Sequence, residues 1–195
     1  MKLIVGAVAL MALAGCLDQG KVPEGLVQAT KEAKELSIAN NSPDLTVKSW
    51  WAAKDAAMRL DSQICFEYVR FQAPASEKLY KLATSDIPID RPCDGGVFIF
   101  DRVITRVEIQ SDTRAVVKAT IKNATPPEAG AVLDDSDIKA KAEGEPYLYT
   151  LERKDADSGW AISRIDRFPS YARDWEKAYD KPQPSSNRFV YEQYQ

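Results

Sequence analysis

The side chains that could carry chemistry are few, and the first fact about them is an absence: the 195-residue chain holds no histidine. That removes the commonest general base and the commonest metal ligand. Serine–histidine and cysteine–histidine catalysis go with it, as does histidine-bound zinc. What remains for acid–base work is a carboxylate paired with a phenol: Asp101, Asp166 or Glu67 as base, with Tyr68 or Tyr149 as proton donor. No spacing sets these acids apart from ordinary surface carboxylates, so no residue is assigned a catalytic role. The run Asp134-Asp135-Ser136-Asp137, with Glu143 and Glu145 nearby, offers oxygen ligands to a cation. A calcium loop of the EF-hand type needs glycine at its sixth position and glutamate at its twelfth; counted from Asp135 these are Ala140 and Pro146. The run therefore reads as a solvated loop tip, and neither a metal nor a cofactor is expected. Aromatic residues are the last group. Trp50, Trp51, Tyr68, Tyr147, Tyr149 and Trp160 can line a pocket for an apolar ligand or serve as plain core filling.

One further reactive residue lies near the start. Lys2 precedes an unbroken apolar stretch, Leu3 to Leu13, and then come Ala14, Gly15 and Cys16. A positive residue, a short hydrophobic run and small residues before a cut form a secretory signal peptide. The run is too short to cross a bilayer as a helix, which takes about 18 residues or more. The quartet Leu13-Ala14-Gly15-Cys16 resembles the lipobox of bacterial lipoproteins. That resemblance implies cleavage before Cys16, a diacylglycerol on its thiol and an acyl chain on its new amino group. Two acyl chains already anchor a protein stably, at roughly 0.8 kcal/mol per buried methylene, so Cys16 would tether the domain to a lipid bilayer. Leu17 follows the cysteine where the inner-membrane retention signal of enteric bacteria has aspartate, which implies the outer membrane, facing the periplasm. Asp18 one place later leaves the leaflet open.

Setting Cys16 aside leaves Cys65 and Cys93. A pair of cysteines in an exported domain suits a disulfide, worth roughly 3 to 4 kcal/mol on the chain-entropy model. The other reading is two separate buried thiols, since Cys65 lies between apolar Ile64 and Phe66. A CxxC redox motif is absent.

The rest of the composition is that of one globular domain: 45% hydrophobic and 28% charged residues, which excludes a largely disordered chain. The net charge of -3 leaves no basic excess to neutralise a phosphate backbone, so nucleic acid is not an expected partner.

The elements that must position these groups follow from periodicity. Residues 1–15 are the signal peptide and 16–23 a tether; residues 24–180 form a single domain, and 181–195 are a Pro/Ser linker with an aromatic tail. A helix is expected over Glu24 to Ala39, where Leu26, Ala29, Ala33 and Leu36 recur at helical spacing. Ser42 as N-cap and Pro43 at the first helical position start a second helix running to about Gln72. Trp50, Ala53, Ala57, Leu60, Ile64 and Phe71 form its apolar stripe. Ser76 caps a short third helix through Ala83. The period then changes from helical to two: Val97 to Gln110 and Arg114 to Lys122 read as strands, the second with Ala115, Val117, Ala119 and Ile121 inward. A long polar loop, Asn123 to Pro146, leads to strands Tyr147 to Lys154 and Trp160 to Phe168, joined around Asp157-Ser158-Gly159. A last helix is expected over Tyr171 to Asp180. The tail Arg188 to Gln195 carries Phe189, Tyr191 and Tyr194, which suit either a peptide offered to a partner or a final strand.

Helices first and antiparallel strands afterwards give the α+β class, with helices packed on one face of a curved sheet. The block from Ile104 to Phe168 resembles the nuclear transport factor two-like superfamily, also called cystatin-like or SnoaL-like. The resemblance rests on Val116-Val117-Lys118-Ala119-Thr120-Ile121, on Tyr149-Thr150-Leu151-Glu152-Arg153-Lys154, and on Gly159-Trp160-Ala161-Ile162-Ser163-Arg164-Ile165. It implies a cone-shaped domain with a cavity between the long helix and the sheet, and Trp50, Tyr68, Tyr147 and Tyr149 would line that cavity. It implies no single activity. The isomerase and dehydratase branch of the superfamily sets an aspartate base beside a tyrosine in an apolar cavity, and many of those enzymes also use a histidine. The leading expectation is a non-catalytic envelope lipoprotein that presents a surface or shallow cavity to an envelope protein partner. The alternatives are a binder of an apolar small molecule in the cone, and an isomerase- or hydratase-like enzyme.

Overall fold

The computed structural model describes residues 22–64, 73–89, 96–128 and 130–179. The signal peptide and Cys16, Cys65, Cys93, Glu67, Tyr68 and the tail from 181 onward lie outside these residues. Within them the domain is α+β, with four helices and a five-stranded antiparallel, curved sheet.

Helix α1, Glu24–Glu35, buries Leu26, Ala29, Thr30 and Ala33. It stops four residues short of the expected Ala39, because the segment after it finds better partners than a helix provides. Ser49 bonds both backbone groups of Ala39, at 2.9 and 3.0 Å, and the Asn40 carbonyl accepts from the Trp160 amide at 2.7 Å. Helix α2, Pro43–Ile64, begins with Pro43 at its first position. Its opening turn closes from the Thr46 amide to the Ser42 carbonyl, while the Ser42 hydroxyl donates to the Asp44 carboxylate at 2.7 Å. That bond lowers the Asp44 pKa below the usual range, assisted by Lys48. Helix α3, Ala73–Leu82, starts before the expected Ser76. Pro74 occupies its first turn, where its missing N–H costs nothing.

The strands run β1 (Phe100–Ser111), β2 (Arg114–Asn123), β3 (Glu145–Glu152), β4 (Ala161–Arg167) and β5 (Glu176–Lys177), and they pair in that order. Alternation on β2 sends Ala115, Val117 and Ala119 into the core and Arg114 and Lys118 outward. β3 and β4 form the hairpin expected from Asp157-Ser158-Gly159, with Ser158 bonded back to Asp155 through both amide and hydroxyl.

Two further segments differ from their sequence reading. The polar loop contains a helix, α4 (Asp135–Glu143), opened by a capping box in which Asp134 and Asp137 each bind the other's backbone amide. The acidic run is thus the first turn of a helix, where negative charge suits the macrodipole. Among the described residues no group of three or more metal-ligating side chains gathers there or elsewhere. The expected last helix, Tyr171 to Asp180, does not form over the described residues 171–179. Glu176 and Lys177 instead pair with Arg167 and Asp166 on the edge of β4, and the Ala178 amide bonds the Ile165 carbonyl at 2.9 Å. The open edge of β4 supplies partners that outcompete the local helical ladder.

The core has two parts that meet on α2. Against the sheet, Val47, Trp50, Trp51 and Ala53 pack on Val117, Leu151 and Ile162, with Leu79 and Leu82 of α3. Away from it, Ala56 and Leu60 pack on Leu26, Ala29 and Ala33 of α1. Leu36 and Ala57 touch both.

Candidate functional site

Between α2 and the sheet lies a cavity of about 480 Å³. Its helix side is Trp50, Trp51, Lys54 and Met58, which fall on successive turns and so share one face. Its sheet side is built by alternation: Phe100 and Arg102 from β1, Ile121 from β2, Tyr147 and Tyr149 from β3, Ile165 from β4. Phe98 and Tyr179 complete the wall.

Two of its polar side chains, Trp51 and Arg102, have hydrogen-bond partners in the fold. The Trp51 indole N–H donates to the Tyr149 hydroxyl at 2.8 Å, and the two rings meet edge to face at 5.9 Å. Tyr147 stacks on Tyr149 with centroids 6.4 Å apart. Both Arg102 terminal nitrogens bind the Asp55 carboxylate, each at 2.7 Å, a fork-on-carboxylate geometry. The guanidinium lies 4.9 Å from the Phe100 ring centre and 5.9 Å from that of Trp51, so π faces flank the charge. The Lys54 ammonium sits 5.6 Å from the Trp50 ring.

Burial shapes the titration of the wall. It raises the Tyr149 pKa strongly, against the bond from Trp51; it raises Tyr179 against the charge of Arg102; and it raises Tyr147, with help from Glu145. An unfolded tyrosine ionises near pH 10. A group whose pKa is higher in the folded state contributes stability below the unfolded value and loses it as pH climbs through the folded one. Stability is therefore expected to be insensitive to these phenols below about pH 9 and to fall above about pH 10. Phenolate absorbance followed beside far-ultraviolet circular dichroism checks this. Free titration of all tyrosines near pH 10 without loss of fold would contradict it.

The structure places Trp50, Tyr147 and Tyr149 in the cavity wall together with Trp51. Trp160 sits elsewhere: it is buried in the sheet-side core under the Arg153 guanidinium, 4.4 Å from the ring centre. Of the candidate bases, the two in the described residues, Asp101 and Asp166, do not line the cavity. Asp101 is exposed on β1. Asp166 is buried but bound by Arg164 through three contacts of 2.7 to 2.9 Å, an arrangement that also raises the Arg164 pKa. No aspartate or glutamate is among the described lining residues.

The sequence reading missed Arg102 and Asp55. A signal existed: Phe100, Arg102 and Ile104 share one face of β1, and a cation at an inward strand position needs a buried partner. Asp55 lies one turn beyond Trp51 on the facing helix.

Comparison of the chain with protein-family models, with curated proteins and with solved structures found no match. Among the described residues no helix is long and apolar enough to cross a membrane.

Proposed function

We propose that this chain is a bacterial outer-membrane lipoprotein, anchored through acylated Cys16, whose domain holds an apolar small molecule between α2 and the sheet. The observation that carries the reading is the cavity of about 480 Å³ with seven aromatic side chains in its wall. That volume lies within the usual range of ligand sites. Because Trp51 is spent on Tyr149 and Arg102 on Asp55, these polar groups favour a guest that asks for no hydrogen bonds. The reading assigns no catalytic residue, since the carboxylates named as candidates in the described chain stand exposed or paired to arginine away from the cavity. The cone-shaped, cystatin-like architecture belongs to the same proposal: a helix of 22 residues over a curved sheet, with a cavity between them, supports it.

A second reading, an assembly module for another envelope component, is favoured by the apolar residues left exposed along β1. Native mass spectrometry of the full chain, extracted from bacterial envelopes in detergent, separates the outcomes. The expected spectrum shows a covalent mass increment on a chain beginning at Cys16, and a retained non-covalent guest that organic solvent removes. A chain without the increment overturns the anchor; a chain without a guest overturns the cavity reading.

A further inference from the structure

We propose that β1 pairs, antiparallel and two-fold symmetrically about Val107, with β1 of a second copy of this chain. The inference is independent of what the cavity holds. β1 is twelve residues long and has a neighbour, β2, on one side only among the described residues. Its free side presents backbone donors and acceptors that a further strand can satisfy.

The side chains say which strand. Val107 and Ile109 are register partners of buried Val117 and Ala115, so they point to the helix-covered face, yet they are 40% and 58% exposed. The helix layer does not reach this end of β1. On the other face stand Arg106, exposed, and Glu108, half-buried, 3.1 Å apart. Two copies joined edge to edge as one continuous sheet keep like faces together, so residues of equal parity must oppose each other. With Val107 on the axis, Arg106 of each copy lies opposite Glu108 of the other, which makes two cross-strand ion pairs. Sliding the pairing by two residues in one direction sets Arg106 against its own counterpart; sliding the other way does the same to Glu108. Charge therefore selects one register and penalises its neighbours. In that register the two Val107 side chains meet in the strip that the helices leave open. The bulge between Ile104 and Arg106 limits the paired length and keeps the association in the weak class of interfaces.

The test is a charge exchange read by analytical ultracentrifugation of the full chain in non-ionic detergent. The unaltered chain is expected to form dimers as concentration rises. Arg106→Glu and Glu108→Arg should each weaken dimerisation by about tenfold or more, because each places two like-charged pairs at the seam. An equimolar mixture of the two variants should recover it, since one chain then carries two glutamates opposite two arginines. Recovery in the mixture also shows that both variants are folded. A chain that stays monomeric, single variants that dimerise like the unaltered chain, or a mixture that fails to recover would each overturn the proposal.

Discussion

Trp160→Ala is expected to lower the unfolding free energy by about 3–5 kcal/mol, the range for deleting a buried aromatic. The indole is 3% exposed and packs in the sheet-side core while its outer surface is covered by the Arg153 guanidinium. Its backbone amide holds the Asn40 carbonyl at 2.7 Å, so the site also joins the helical segment to the hairpin. The substitution keeps that backbone bond and removes the packing. Urea unfolding of the variant beside Trp160→Phe checks it: phenylalanine should recover part of the loss because it refills part of the hole. A loss below about 1 kcal/mol would show that the surrounding side chains collapse onto the site or that it bears little of the core.

The second large effect concerns the cavity itself. Ile121 lies on β2 between Arg102 and Glu145 in the sheet register and contributes its side chain to the wall. Ile121→Trp puts an indole into the space a guest would occupy. Because Ile121 is only half-buried, the overpacking penalty should stay at the low end, about 1 kcal/mol. Uptake of an apolar environment-sensitive fluorophore is expected to fall by about tenfold or more, which corresponds to roughly 1.4 kcal/mol of lost binding. Unchanged uptake by a folded variant would show that the fluorophore binds elsewhere on the molecule.

Much of the sheet could be read from period alone. β2 alternates so cleanly because one face is core and the other solvent, and the β3–β4 hairpin announces itself through Asp157-Ser158-Gly159. The helix α4 left no such trace, since none of its residues is buried and no apolar stripe exists to be seen. Its start was nonetheless written in Asp134 and Asp137, three apart, as a reciprocal cap. The misread last helix shows the opposite failure. Residues 171–179 satisfy local helical spacing, but the decisive partner is the edge of β4, which no local window contains. At the cavity, Trp50, Tyr147 and Tyr149 stood out as bulky residues on two facing elements. The Arg102–Asp55 pair joins β1 to α2 across 47 residues, and only the fold brings the two together.

The division of the core along α2 has a consequence for how the molecule loosens. Among the described residues only Leu36 and Ala57 touch both apolar clusters, and the buried apolar residues of α1, Leu26, Ala29 and Ala33, all belong to the smaller one. Thermal fluctuation can therefore lift the first helix as a cooperative unit while the half that contains the aromatic chamber keeps its shape. Tugging at the leading end of the chain would be absorbed there, as by a sacrificial joint, before it reached the sheet.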